Sequence, residues 1–212
     1  MNYLELINKC LVELNYKQVN AFSELIKNDH KKLKNIINVL NAEICKSDRW
    51  NFLQRKITIN LPANTGEIEN PINGKIETII VNGQKFSYYQ DFESFFTNSQ
   101  PSNTYSFYND KILFPIFQNE KNVDILYYTN NCVRDNENIE KQIFENATDS
   151  SLIPEPFAEP LLVYGACMRL KGNPQHIRFS YWLSMYKDAL ANLRSRISAT
   201  VNEVPSVNIR RH

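Results

Sequence analysis

The spacing of apolar residues changes twice along this chain of 212 residues, from a helical period to a period of two and back. That switch limits the folds open to it. Near the start, Tyr3, Leu6, Ile7, Cys10, Leu11 and Leu14 recur every three or four residues, one stripe of an amphipathic helix. After a polar break from Asn15 to Asn20, a second helical stretch is expected from Leu25 and Ile26, with Ser23 and Glu24 supplying capping chemistry. Leu33, Ile36, Ile37, Leu40 and Ile44 continue the stripe, and Lys31, Lys32, Lys34 and Asn35 form the solvated side. Trp50 and Phe52 suit the hydrophobic end of a helical hairpin.

From Arg55 to Thr129 apolar and polar residues alternate. Ile57, Ile59 and Leu61 predict a strand ended by Pro62, and Lys75 to Val81 is β-branched. Asn82-Gly83 signals a type I′ hairpin whose return strand carries Phe86, Tyr88 and Tyr89. Asp91 to Phe96 is an aromatic helical turn or bulged loop. Tyr105 and Phe107, a turn at Asn109-Asp110, then Ile112, Phe114 and Ile116 make a second hairpin, and Val123, Ile125, Tyr127 and Thr129 a last strand. Five or more short strands with no helical crossover mean an antiparallel sandwich or small barrel.

Residues 130–152 read as an exposed connection with a short helical piece from Ile139 to Phe144. A proline elbow from Ile153 to Pro160 precedes a helix over Leu161 to Leu170, ended by Gly172 and Pro174, and a final, longest helix from Ile177 to Ile197. The predicted fold is therefore α+β: a helical bundle formed by both chain ends, an inserted antiparallel β-sandwich or small barrel, and an extended C-terminal tail. The divisions are 1–54 plus 153–198 for the helical domain, 55–152 for the β domain with its connecting loop, and 199–212 for the tail.

Composition narrows the function classes. With 24 basic and 23 acidic side chains the net charge is +1, which argues against coating nucleic acid by bulk electrostatics. Mean hydropathy is −0.44, no apolar run approaches a membrane span, and the N-terminus has no basic leader of a signal peptide. A soluble protein made in the cytoplasm, with no membrane contact, is expected. Five glycines disfavour glycine-rich phosphate loops. Asn, Lys and Ile are plentiful, a bias an AT-rich genome produces, and it is given no functional weight.

No catalytic motif is present, and no catalytic, cofactor or metal-ligating residue is assigned; the chain is read as a non-enzyme. Cys10, Cys45, Cys132 and Cys167 lack the local spacing of a metal site and read as buried reduced thiols. His30, on the polar side of a lysine-rich helix, His176, in the first turn of the last helix, and His212 read as surface histidines. Glu155 with Glu159, and Asp91 with Glu93, are the carboxylate pairs a glycosidase would need to place across a cleft. The aromatic residues Phe86, Tyr88, Tyr89, Phe92, Phe95, Phe96, Tyr105, Phe107 and Tyr108 could line a sugar groove but suit the core and contact surface of a small β domain better. Val201, Val204, Val207 and Ile209 keep an apolar alternation beyond the last helix, followed by Arg210 and Arg211. Such a segment can add to a neighbour's sheet or lie in its groove.

The opening INKCLVELNYKQVNAF, followed by a helix and Asp48-Arg-Trp-Asn-Phe52, resembles tail tubular protein A and related head–tail connector (adaptor) proteins of short-tailed bacteriophages. Val19-Asn20 and Trp50-x-Phe52 occupy the family's turn step and W-x-F pair, although Asn15 and Lys17 stand where the turn usually has Gly and Pro. A hairpin-rich insertion, the strand Lys111-Ile-Leu-Phe-Pro115, an Ile153-Pro154 step and a long last helix agree. The resemblance implies a structural virion protein, a homo-oligomeric ring, usually dodecameric, at the head–tail junction. Its partners would be further copies of itself, the portal protein, the next tail or ring protein, and genomic DNA passing without sequence-specific binding. It also implies that the C-terminal segment, here Val204, Val207, Ile209, Arg210 and Arg211, docks on the portal. The alternative is a virion β-sandwich accessory module that binds another tail protein or a host glycan.

Overall fold

The computed structural model describes residues 1–197. In chain order the elements are α1 (Tyr3–Glu13), α2 (Asn28–Lys46), β1 (Gln54–Leu61), β2 (Glu67–Glu69), β3 (Gly74–Val81), β4 (Gln84–Tyr88), α3 (Glu93–Phe96), β5 (Thr104–Tyr108), β6 (Lys111–Leu113), β7 (Lys121–Thr129), β8 (Val133–Arg134), β9 (Glu140–Lys141), β10 (Ser150–Ser151), α4 (Glu155–Glu159), α5 (Gly165–Lys171) and α6 (Phe179–Ile197). The fold is α+β, and among the described residues Met1–Leu53 and the chain from Asn130 onward form one compact unit. Gln54–Thr129 is inserted as a second. The predicted division at 152–153 is thus corrected: the connection after Thr129 belongs with the helices.

In the helical unit, α1 buries the predicted stripe of Tyr3, Leu6, Ile7, Cys10 and Leu11. Asn2 and Glu5 exchange side chain-to-backbone bonds of 2.9 Å, a capping box. The next two N–H groups, of Tyr3 and Leu4, donate to the carbonyls of Asp149 and Ala147. Helix α2 starts at Asn28, later than expected. Residues Phe22–Glu24 form a 3-10 turn instead, and Leu25, buried, leaves helical geometry at ψ 56°. Most of its predicted stripe is buried, Leu33, Ile37, Leu40 and Ile44, while Ile36 is half-buried; Lys31, Lys32 and Asn35 are exposed, but Lys34 is half-buried with its ammonium over the Phe22 ring at 4.0 Å. Each fully buried Leu or Ile contributes about 1.5–3 kcal/mol over an exposed one.

The connection holds no helical piece at 139–144. Instead β10-β8-β9 form a small antiparallel sheet that continues from α1 through an Asn2–Ser150 bridge. Two asparagines of α2 pin this strap. Asn38 accepts from the Phe144 N–H at 2.7 Å and donates to its carbonyl at 3.1 Å. Asn41 donates to the Cys132 carbonyl at 3.0 Å and accepts from Ser151 Oγ at 2.6 Å. Phe144 then stacks on Tyr3, ring centres 4.6 Å apart. Periodicity cannot see such a strap, because irregular backbone held by amide side chains has no apolar repeat.

The proline elbow leads through α4, a π-helical turn at Pro160–Tyr164 and α5, which ends at Gly172 with φ 58°. A Cβ on Gly165 would meet Leu40 Cδ2 at 2.5 Å, so glycine here lets α5 approach α2 closely. Helix α6 starts at Phe179 rather than Ile177, which is 92% exposed, and at 19 residues it equals α2 in length.

The inserted unit is a nearly closed, barrel-like seven-stranded sheet in the order β1-β7-β3-β4-β5-β6-β2. Cross-strand rows Ile57–Ile125–Ile79 and Ile59–Val123–Val81 set the register. The core adds Leu61, Phe86, Tyr105, Ile112 and Phe114. Both predicted hairpins form: Asn82 and Gly83 have φ 45° and 82°, Asn109 and Asp110 45° and 59°. One pair departs from the all-antiparallel expectation, since β4 and β5 run parallel with α3 between them.

Candidate functional site

The carboxylates named from sequence do not face one another across a cleft. Glu155 and Glu159 lie one turn apart on α4; Glu155 takes the N-terminal ammonium, which holds its carboxyl below the usual range, and Glu159 pairs with Lys9. Asp91 accepts from the Glu93 N–H at 3.1 Å and so serves as a turn at the start of α3. Among the described residues no group of three or more His, Cys, Asp or Glu could hold a metal ion, and no helix is long and apolar enough to cross a membrane.

All four thiols are free and buried. They lie in two contacting pairs, Cys10 with Cys167 and Cys45 with Cys132, widely separated in sequence. The mutual hydrogen bond, reinforced by burial, pushes the Cys10 and Cys45 thiols well above their usual value. These are poor nucleophiles.

Histidine placement corrects two expectations: His176, expected in the first turn of the last helix, lies in the loop before α6, half-buried, and His30 is not on the surface. His176 stacks on Trp182 at 5.1 Å and accepts from the Arg178 N–H. His30, expected on the surface, is 4% exposed, and its buried Nδ1 has no hydrogen-bond partner. The late start of α2 places it in the first turn, where it lines a cleft of about 420 Å³ between residues 27–30 and the loop at 15–17. That loop is the end of α1, turned by Asn15 at φ 58° with the Tyr16 N–H donating to the Leu11 carbonyl at 2.7 Å.

The aromatic residues of the inserted unit divide. Phe86, Phe95 and Tyr105 are buried, while Tyr88, Phe96, Phe107 and Tyr108 are exposed. Phe92 stacks on Tyr108 at 5.2 Å with Phe96 edge-on to the same ring, and Tyr88 touches Tyr105 and Phe107. This surface spans β4, β5 and α3. Burial falls along each strand rather than alternating across it: Phe86 and Tyr105 are buried, whereas Tyr88 and Phe107, two residues further on and on the same faces, are exposed. On the helical unit Val12, Ile26, Val39, Ile177 and Tyr181 are exposed. Val204, Val207, Ile209, Arg210 and Arg211, the sequence-named docking residues, lie outside the described residues, as does His212.

Neither models of known protein families nor curated proteins match this chain.

Proposed function

We propose that this chain is a structural virion protein of a short-tailed bacteriophage. It assembles into a ring at the head–tail junction, docks on the portal, extends the DNA channel and anchors the tail. The observation that carries the reading is where the family-like residues stand in the fold. Val19-Asn20 falls in the turn after α1, where Asn8 clamps the Val19 N–H and carbonyl, both at 2.9 Å. Trp50 is fully buried at the step from α2 to the inserted unit; it stacks on Phe52 and donates to the Ile44 carbonyl at 2.7 Å. Lys111 opens β6, Pro154 is the N-cap of α4, and the 19-residue α6 is the last described helix. An inserted β unit between two helical ends has the order the resemblance implies.

The exposed rings and aliphatic side chains suit a protein whose work is contact area, since a head-to-tail interface closes into a ring when its rotation divides the circle. Near-neutral charge suits a conduit that DNA passes through without being gripped. The test is mass photometry and negative-stain microscopy of the protein alone and mixed with the portal from the same genome. Rings are expected, with portal caps in the mixture, and a monomer in both without portal binding overturns the reading. Removing residues 199–212 should leave a folded protein that no longer binds portal; normal binding removes the tail from the docking role. The exposed aromatic surface favours one second reading, an accessory module for a tail protein or host glycan, which predicts polysaccharide binding without rings.

A further inference from the structure

The two thiol pairs of the helical unit are differently placed. Cys10 and Cys167 are fully buried, and their thiols donate to the carbonyls of Val163 and Cys10 at 3.8 Å and 3.7 Å. Cys45 and Cys132 are 4% and 1% exposed and stand next to exposed chain: Lys46 follows Cys45 at the end of α2, and Asn130 precedes Cys132 by two residues. Asn41, one turn before Cys45, brings the second pair together by holding the Cys132 carbonyl at 3.0 Å. The thiols then form a chain, with Cys45 donating to Cys132 and Cys132 donating to the Asn130 carbonyl at 3.4 Å. The bond from Cys45, helped by the Lys46 ammonium, outweighs burial and holds the Cys132 thiol below its usual value. One thiol is thus primed and a second stands in contact with it, the arrangement disulfide formation requires.

Their place in the chain gives the pair a consequence. Cys45 precedes the inserted unit and Cys132 follows it, so all of Gln54–Thr129 lies between them, while both cysteines belong to the helical unit.

We propose that Cys45 and Cys132 form an oxidation site: a peroxide joins them in a disulfide that clamps the strap to the end of α2 and closes the stem of the insertion covalently. The Cys132 thiolate attacks one oxygen of hydrogen peroxide, the O–O bond breaks, and the leaving hydroxide takes up the proton that Cys132 gave, forming water and a sulfenic acid. The Cys45 sulfur then attacks the Cys132 sulfur, and its proton and the expelled hydroxide form a second water. Two thiols lose two electrons and two protons to one peroxide. Hydrogen peroxide is little larger than water, so a brief local opening of the strap, whose irregular backbone Asn38 and Asn41 hold, admits it. The inference does not depend on ring formation.

The full chain, reduced and freed of reductant, is treated with hydrogen peroxide at about millimolar concentration, quenched in urea with an alkylating agent and mapped by mass spectrometry. Free thiols should fall from four to two, with a Cys45–Cys132 cross-linked peptide and with Cys10 and Cys167 alkylated. The urea midpoint of tryptophan fluorescence should rise by about 1 M, because the cross-link restricts the unfolded chain, and should return on reduction. In Cys45→Ser the Cys132 sulfenic acid meets no thiol, so it should take a dimedone adduct that the parent does not, whereas Cys10→Ala/Cys167→Ala should respond as the parent does. Four surviving thiols, Cys132 oxidised to a sulfinic acid without a cross-link, or a cross-link confined to Cys10 and Cys167 overturns the site, and a cross-link that leaves the midpoint unchanged overturns the clamp. All of these are read on the parent chain, so none requires a variant to fold.

Discussion

Asn41, 1% exposed, lies on the buried face of α2 beside Ile37, Leu40, Ile44 and Cys45, and replacing it with Leu isolates what the strap depends on. The substitution keeps the branched shape, though its two methyl groups are bulkier than the amide, and gains a few tenths of a kcal/mol in helix propensity, but it deletes two buried hydrogen bonds. The Cys132 carbonyl keeps a donor in the Leu152 N–H at 2.9 Å, so its loss is one net hydrogen bond, about 1 kcal/mol. Ser151 Oγ, which also accepts from the Ile153 N–H at 3.0 Å, loses the acceptor for its own proton, about 1–3 kcal/mol. Asn41→Leu should therefore cost about 2–4 kcal/mol, a large part of a typical domain stability. Ser151→Ala costs about as much, because it strands both Asn41 Oδ1 and the Ile153 N–H. In the double variant the Asn41–Ser151 bond is gone from both sides, so the total should fall about 1–2 kcal/mol short of the sum. Urea unfolding followed by tryptophan fluorescence measures this in the right place, since both tryptophans, Trp50 and Trp182, are buried in the helical unit. Strict additivity, or an Asn41→Leu variant within about 0.5 kcal/mol of the parent, refutes the reasoning.

Three further outcomes are expected. Burial pushes the Asp149 carboxyl up, but the Asn146 and Glu145 N–H groups and Lys141, 3.0 Å away, outweigh it and hold it below the usual carboxylate range. Its stabilisation is present above the unfolded value of about 3.9 and is lost as pH falls through the folded one, so Asp149→Asn should flatten the acid limb of the helical unit's stability, read by fluorescence against pH. Gly165→Ala should lose about 1–2 kcal/mol in urea, overpacking against Leu40 and the Tyr186 ring exceeding the gain in helix propensity. Asn82→Gly suits the turn's φ of 45° yet should speed amide exchange at Asn122 about fivefold, because Asn82 Oδ1 accepts from that N–H at 3.0 Å.

Elements with a regular apolar period were legible in the sequence: the stripes of α1 and α2, the rows through Ile57, Ile59 and Val123, and both hairpins. Outside those two hairpins, much of what escaped depends on asparagine. Seven asparagines, at 15, 64, 82, 98, 103, 109 and 138, have φ between 45° and 63°. Most chains would place glycine at such positions, and this one has five glycines in all. Asn8, Asn38 and Asn41 meanwhile fasten loops to helices. A composition bias set aside as genomic therefore carries the turns and the strap. The buried His30 was missed for a related reason. Ser23 and Glu24 look like a cap, but the chain spends them on a 3-10 turn, and the helix starts four residues beyond Glu24. The parallel β4–β5 pair had no local signal, because the α3 segment joining it is too short to read as a crossover.

The first and last strands of the insertion are partners, with Gln54 opposite Tyr128, so the two points where the chain passes between units lie about 5 Å apart. An insertion closed in this way adds little loop entropy to the unit that carries it, and substitutions in one unit should leave the stability of the other alone. That separation allows a test of assembly free of folding effects. Tyr88 and Phe107 touch at 5.9 Å on the exposed aromatic surface; if that surface is a ring contact, Tyr88→Ser/Phe107→Ser should abolish rings in mass photometry while the tryptophan unfolding midpoint in urea stays where it was. A shifted midpoint would show that the units are coupled, and rings that persist would move the contact to the helical unit's exposed Val12, Val39 and Tyr181.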